Sequence, residues 1–157
     1  MLGSLINPSC IKLDLKSSEY EECFAELLEV IIANHHDVDR TEAMNALVQR
    51  EEKMSTAIFP CVAVPHAVCD IKNIAIAIGV SRDGVTFDAI EDNGKISGAD
   101  VDINIVFEIL FAEHDTEIHL QVLRDILELI NNPDFVKNVV NSKSSQEVYD
   151  LIISIVS

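Results

Sequence analysis

The sequence predicts an α/β fold built in layers, with a mixed β-sheet between helices. Residues 74–80 form a nearly uninterrupted apolar run, which is typical of a strand buried on both faces. On either side of the middle section, apolar residues recur at helical spacing behind polar residues that suit helix N-termini. Strands separated by helices favour a sheet covered by helices. The 157 residues show no repeat or linker, so we expect a single domain over 1–157.

The first third of the chain predicts one strand followed by two helices. Residues 10–15 alternate apolar and polar side chains, as a short half-buried strand does. Ser18 with Glu21 forms a candidate capping box for the first helix. Asp39 with Glu42 forms a second capping box, which predicts that another helix begins there.

The middle of the chain predicts strands. Residues 62–64 form a short β-type run that stops at Pro65, and 102–111 is a further strand candidate. Residues 81–100 are polar and glycine-containing, so we expect turns around at most one short strand there. The glycines in this stretch are Gly84, Gly94 and Gly98.

The last third predicts three helices. The first runs over about 115–131, and Pro133 starts a short second one. Ser144 or Ser145 caps the final helix, which carries apolar side chains at helical spacing.

The charge of the chain restricts its partners. Twenty-seven acidic residues against 11 basic ones give a formal net charge of −16. Such a field repels nucleic acid and anionic membrane surfaces, so neither is an expected partner. Neutral or basic proteins fit better, and the charge is equally compatible with a role in solubility alone.

The sequence shows no pattern that predicts a membrane span or a secretory signal. No apolar run has the length of a membrane span, and residues 1–15 lack the pattern of a secretory signal. The four cysteines form no Cys-x-x-Cys pair, and we interpret them as reduced cytosolic thiols. These observations predict a cytoplasmic protein that does not insert into membranes.

The segment Val62-Ala-Val-Pro-His-Ala67 carries the strongest chemical signal. Because proline has a fixed φ and cannot continue a sheet ladder, we expect the chain to turn at Pro65. The imidazole of His66 would then lie at the carboxyl end of a strand, where open α/β sheets place ligands. A purely structural histidine fits the same position, so the pattern alone leaves both interpretations open.

Two further residues are candidates for the same site. His119 lies in the first turn of the helix after strand 102–111, so it should reach the same edge of the sheet as His66. Arg50 ends the second helix shortly before the strand that leads to His66, and a guanidinium there could bind a phosphoryl group. A core histidine and a cation at a helix C-terminus are the alternative interpretations.

Together these segments resemble a known family. Arg50-Glu-Glu-Lys-Met-Ser-Thr56 followed by Val62-Ala-Val-Pro-His-Ala67 is similar to the signature of phosphotransferase-system (PTS) IIA domains of the fructose/mannitol/nitrogen-regulatory type. Ile118-His-Leu-Gln-Val-Leu123 resembles the family's His-Leu-x-x-Leu helix. Asn132-Pro-Asp-Phe135 and Ser145-Gln-Glu-Val-Tyr149 resemble its closing helices, so the similarity covers nearly the whole chain in the right order.

The resemblance implies a fold and a chemistry. The fold is a three-layer α/β/α sandwich with a mixed, mostly parallel sheet. The activity is that of a phosphotransferase with a phosphohistidine intermediate, in which Nε2 of His66 accepts phosphate from a histidine phosphocarrier protein. His119 would orient the phosphate or the ring, and Arg50 would balance phosphate charge. The chemistry implies neither a cofactor nor a metal, because phosphoryl transfer depends mainly on positioning and charge stabilisation.

The loop before His66 departs from the family pattern. Ala57, Phe59 and Cys61 stand where the family usually has glycines, so the backbone beside the phosphate should differ. A metal site formed by Cys61, His66 and Cys69 is an alternative, but their spacing is not a standard zinc spacing and no fourth ligand is evident.

The family resemblance leaves two functions open. The chain could pass phosphate from His66 to a cysteine of a IIB domain, which serves sugar uptake. Alternatively, it could be a nitrogen-type regulatory protein whose phosphorylation state controls binding to partner proteins. A sequence that carries only a IIA-like region fits the regulatory branch, and free sugar-type IIA proteins have the same architecture. A degenerate IIA domain that is never phosphorylated is a third possibility, against which the retained His66, His119 and Arg50 argue. The sequence does not reveal the sugar or the oligomeric state.

Overall fold

A computed structural model describes residues 1–90 and 96–156, which form five strands and five α-helices. Two short 3₁₀ helices, Leu2–Ser4 and Pro8–Cys10, precede the first strand. The elements in chain order are β1 (Ile11–Lys12), α1 (Tyr20–Asn34), α2 (Arg40–Lys53), β2 (Val62–Ala63), β3 (His66–Cys69), β4 (Ala75–Ile90), β5 (Ile96–Ala112), α3 (Thr116–Asn131), α4 (Phe135–Val140) and α5 (Ser145–Ile155). Among these helices none combines the length and apolar character that a membrane span requires.

The sheet is mixed, with the strand order β1-β4-β5-β2 and with β3 also paired to β5. The pairings β1–β4, β2–β5 and β3–β5 are parallel, and the long β4–β5 pairing is antiparallel. Three of these four pairings are parallel, so the predicted mixed, mostly parallel sheet is confirmed. The longest pairing, between β4 and β5, is antiparallel.

Helices cover both faces of the sheet. On one face, α1 and α2 pack against alternate residues of the central strands, such as Ala77 and Val106. On the other face, α3, α4 and α5 pack against the residues between them, such as Ile78 and Phe107. Since successive side chains of a strand point to opposite faces, a continuous apolar run supplies both cores. The predicted three-layer α/β/α sandwich is confirmed.

The prediction of turns over residues 81–100 is wrong. Strand β4 continues to Ile90, and β5 begins at Ile96, so most of this stretch is paired strand. Gly84 and Gly98 both have a positive φ, and a register shift follows Val80, which marks an irregularity of the ladder rather than its end. The expected turn at Gly94 lies outside the described residues.

The first predicted capping box is also wrong, whereas the predicted caps at Asp39 and Ser144 are confirmed. Helix α1 begins one residue further on, because the carboxylate of Glu19 rather than the hydroxyl of Ser18 accepts the free amides of its first turn. Asp39 caps α2 by accepting from the amide of Glu42, and Ser144 caps α5 by accepting from the amide of Glu147.

Candidate functional site

His66 is the first residue of β3, on an edge of the sheet. The register of β2 on β5 continues unchanged into β3, so the chain does not turn at Pro65 as predicted but stays extended beside β5. A proline fits here because the strand has a neighbour on one side only, and the carbonyl of Pro65 still accepts from the amide of Ile109 at 2.9 Å. His66 nevertheless lies near the carboxyl end of β5, which ends at Ala112.

The imidazole of His66 is held by the backbone. Its Nδ1 lies 2.8 Å from the carbonyl oxygen of Val64. Because a carbonyl can only accept, Nδ1 carries the proton in the neutral ring and Nε2 carries the lone pair. Burial lowers the pKa of His66, and the charges of Arg50 and His119 act in the same direction, whereas the bond to Val64 opposes them. The half-buried ring is therefore neutral and nucleophilic over a wider pH range than an exposed histidine.

His119 lies beside His66, as the sequence analysis predicted. The two ring centroids are 5.8 Å apart with the ring planes at 70°. The ring of His119 stacks on Phe111 at a centroid distance of 3.8 Å, and burial lowers its pKa. Phe111 was not singled out from the sequence, although the alternation of side chains along β5 puts it on the same face as the histidines.

Arg50 lies in the last turn of α2 and lines the same cleft as His66. One guanidinium nitrogen donates to the carbonyl oxygen of Met54 at 2.7 Å, which caps the end of the helix. The guanidinium thus combines the two interpretations suggested by the sequence: a cation at a helix C-terminus and a positive charge beside the histidine. Lys53, on the same last turn, also lines the cleft, and the sequence did not single it out.

An apolar cavity adjoins this cleft. It has a volume of about 240 Å³ and lies between the loop after α2, the strand segment at His66 and helix α3. Its walls include Ile58, Phe59, Leu123 and Leu127, and His66 borders both the cavity and the cleft. The histidine therefore has charged groups on one side and an apolar surface on the other.

The loop before β2 adopts a conformation that favours glycine. Cys61 has a φ of 65°, in the left-handed region, at one of the positions where the family pattern has glycine. Its carbonyl oxygen accepts from the amides of Asn104 and Ile105, which ties the loop to β5. Ala57 and Phe59 do not have a positive φ, so of these three glycine positions position 61 alone bears this strain.

The residues of the alternative metal site do not converge. His66 borders the cleft on the α3 side of the sheet, whereas Cys69, three residues along the strand, packs in the core under α1 and α2. Within residues 1–90 and 96–156, no group of three or more His, Cys, Asp or Glu side chains is arranged to hold a metal ion.

Curated proteins similar to this chain come from sugar transport and from nitrogen regulation. The chain is 28% identical to a fructose-specific EIIABC component of Bacillus subtilis, over 96% of this chain but only 23% of that longer protein. It is 26% identical to a fructose-specific EIIA component of Haloferax volcanii, over 98% of this chain and 96% of that protein. A nitrogen regulatory protein of Pseudomonas aeruginosa is 21% identical, over 98% of this chain and 96% of that protein.

A solved structure shares the fold of this chain, and a family model matches nearly all of it. The crystal structure of the nitrogen regulatory protein IIA-Ntr from Neisseria meningitidis superposes with a TM-score of 0.82 at 24% identity, covering 96% of this chain and 98% of that one. The model of the family described as phosphoenolpyruvate-dependent sugar phosphotransferase system, EIIA 2, matches residues 4–155. The chain therefore belongs to the EIIA type 2 family of the phosphoenolpyruvate-dependent sugar phosphotransferase system.

Proposed function

We propose that this protein is a phosphoryl carrier that accepts phosphate on Nε2 of His66 from a histidine phosphocarrier protein and passes it to a cysteine of a IIB domain. One observation carries the proposal. The hydrogen bond from Nδ1 of His66 to the Val64 carbonyl leaves the lone pair on Nε2, in a ring that borders a cleft with Arg50, Lys53 and His119.

The transfer needs only the groups of this cleft. The lone pair of Nε2 attacks the phosphorus of the donor phosphohistidine, a new N–P bond forms, and the donor's N–P bond breaks with its electron pair returning to the donor ring. The proton on Nδ1 stays in its bond to Val64. Arg50 and Lys53 offset the charge of the phosphoryl oxygens, and the ring of His119, held by its stack on Phe111, can donate an N–H to one of them.

An apolar collar lies on the elements that carry the site residues and on the loop before β2, and it suits a protein partner. We use this name for Ile58, Val68, Leu120 and Leu127, which are four of the six exposed large apolar side chains in the described residues. Val68 lines the cleft with His66, while Ile58 and Leu127 line the adjoining apolar cavity. Exposed apolar side chains around a reactive group are typical of a protein-binding surface, so we assign the collar to the donor and acceptor proteins.

The more similar curated relatives favour sugar uptake as the destination of the phosphate. Both are named as fructose-specific components. The Pseudomonas nitrogen regulatory protein favours the alternative, in which phosphorylation of His66 controls binding to a regulated protein. The final acceptor separates the two: transfer of label to a IIB cysteine supports sugar uptake, and phosphate-dependent capture of a kinase or transporter supports regulation.

The phosphate site is tested by labelling. Incubation with phosphoenolpyruvate, enzyme I and the histidine phosphocarrier protein should give an acid-labile, base-stable phosphoprotein. His66→Ala should abolish labelling, and His119→Ala should slow it while the fold is retained. His114→Ala is the matched control, because that imidazole is 71% exposed and lies in the loop before α3. Normal labelling of His66→Ala would refute the assignment.

A further inference from the structure

Glu51 is a buried acidic residue that the proposed transfer does not use. Its relative exposure is 3%, and it follows Arg50 in the last turn of α2. Its carboxylate accepts two hydrogen bonds from Thr56, one from the amide at 2.9 Å and one from the hydroxyl at 2.8 Å. Bonds to an ionised acceptor are about twice as strong as neutral ones, so they fix the position of Thr56 firmly.

A series of hydrogen bonds leads from Thr56 to the reactive histidine. The carbonyl oxygen of Thr56 accepts from the amide of Val64 at 3.1 Å. The carbonyl oxygen of Val64 in turn lies 2.8 Å from Nδ1 of His66. Val64 therefore donates its amide to Thr56 and accepts from the imidazole of His66 with its carbonyl, so it links the two residues.

The position of Val64 in the sheet makes this connection possible. Strand β2–β3 is an edge strand, so the backbone groups that point away from β5 have no partner within the sheet. Thr56 and His66 satisfy these outward-pointing groups of Val64, while the next residue, Pro65, bonds to β5 through its carbonyl. The orientation of the Val64 carbonyl thus depends on the loop that Glu51 holds.

We propose that Glu51 is a positioning residue, which acts through Thr56 and Val64 to keep His66 in the Nδ1–H tautomer with Nε2 free to accept phosphate. Its effect on the transfer rate rests on the proposed function, whereas its effect on the tautomer does not. Burial raises the pKa of Glu51, and the bonds from Thr56 offset only part of that rise.

The decisive variant is Glu51→Gln, which leaves a single, uncharged acceptor oxygen for the amide and the hydroxyl of Thr56 and so weakens the hold on that residue. Its matched control is Glu52→Gln, which removes the same charge at the neighbouring, exposed position. Two quantities are measured: the ¹⁵N chemical shifts of the His66 ring at pH 8, and kcat and KM for phosphate acceptance from the phosphocarrier protein. Thr56→Val removes the hydroxyl that donates the second bond to Glu51, whereas Thr56→Ser keeps that hydroxyl.

We expect Glu51→Gln to move the His66 shifts toward a mixture of tautomers and to lower kcat about tenfold with KM within twofold of wild type. Glu52→Gln and Thr56→Ser should match wild type in both, and Thr56→Val should lie between. Unchanged shifts and kcat in Glu51→Gln would overturn the proposal. If Glu51→Gln does not fold, Thr56→Val decides by the same two measurements.

The two readouts separate this proposal from the proposed function. A wild-type protein that takes no phosphate would refute the carrier function, and the tautomer measurement would still support or overturn the role of Glu51. A wild-type protein that is phosphorylated normally, with variants that behave identically, would refute the role of Glu51 alone.

Discussion

The backbone of Cys61 stores strain that glycine would avoid. For a residue with a Cβ, the left-handed region costs about 1–2 kcal/mol. The carbonyl of Cys61 accepts from the amides of Asn104 and Ile105, and these two bonds hold the residue in that region despite the cost. The loop therefore keeps a glycine-like backbone at position 61 without the glycine.

Replacing Cys61 tests how large this strain is. We expect Cys61→Gly to have a free energy of unfolding about 1 kcal/mol higher than that of Cys61→Ala, because only glycine adopts a positive φ without steric cost. The Ala variant is the control for loss of the thiol. Urea unfolding measures both, and equal midpoints would contradict the prediction.

Glu108 is a second unusual residue. It lies in β5 opposite Ala77 and is fully buried, and neither of its carboxylate oxygens has a hydrogen-bond partner among residues 1–90 and 96–156. Burial raises its pKa well above the ordinary range, so the native state keeps a proton there. The unfolded chain releases that proton above about pH 4.3, the ordinary pKa of glutamate, and the native state consequently becomes less stable as pH rises.

A leucine at position 108 should remove this pH dependence. We expect Glu108→Leu to be more stable than wild type at pH 8, and the difference to shrink toward pH 4, with a slope of about 1.4 kcal/mol per pH unit while wild type stays protonated in the native state. The control Glu128→Leu changes an exposed glutamate on α3. A constant difference between pH 5 and pH 8 would contradict the raised pKa.

Among the secondary-structure elements, helix starts can be predicted from short stretches of sequence. The extents of β4 and β5, in contrast, depend on pairing between residues far apart in the chain. The caps at Asp39 and Ser144 satisfy amides three residues away, so short sequence windows identify them. The glycines at 84 and 98 suggested turns, because a glycine in a bulged strand and one in a turn have the same local signature. Only the pairing of β4 with β5 distinguishes the two, and that pairing depends on residues far along the chain.

The link between β4 and α4 also arises from the tertiary structure. Arg82 donates to the carbonyl oxygens of Val140 at 3.0 Å and of Ser142 at 2.7 Å, at and beyond the C-terminal end of α4. A cation is favourable at that end of a helix, and two carbonyls that the helix leaves unpaired gain a donor.

Removing the side chain of Arg82 should destabilise α4 more than it destabilises the sheet. We expect Arg82→Ala to reduce the free energy of unfolding by about 1–2 kcal/mol and to speed hydrogen exchange selectively in α4. Arg82→Lys should recover only part of the loss, since an ammonium does not reproduce the fork of the guanidinium that bonds both carbonyls. Full recovery by lysine would contradict the two-carbonyl bond.

For the whole molecule, the sequence predicted the layers and the meeting of His66 with His119, but not the contacts that adjust the site. The rule that open sheets place ligands at the carboxyl ends of their strands suggested this meeting without coordinates, although His66 lies within β3 rather than after a strand end. The stack of His119 on Phe111 and the bonds that Thr56 donates to Glu51 depend on exact register and loop path, which sequence patterns do not encode.

The apolar collar gives a prediction at this scale. We expect the double variant Val68→Ser, Leu120→Ser to raise KM for the phosphorylated donor about tenfold with little change in kcat, because binding is lost while the reacting groups remain. Ile153→Ser on α5 is the control, as another exposed apolar residue outside the collar. An unchanged KM in the double variant would exclude the collar as the docking surface.

The position of His66 on an edge strand restricts the order of events in the proposed cycle. His66 is bordered by the cleft and by the apolar collar, so the two proposed partner proteins would bind the same surface. If both proposed partners bind there, donor and acceptor exclude each other, and no ternary complex is expected. The carrier would follow ping-pong kinetics, in which each partner in its unloaded form inhibits the other competitively, so cellular flux would depend on how quickly each departs.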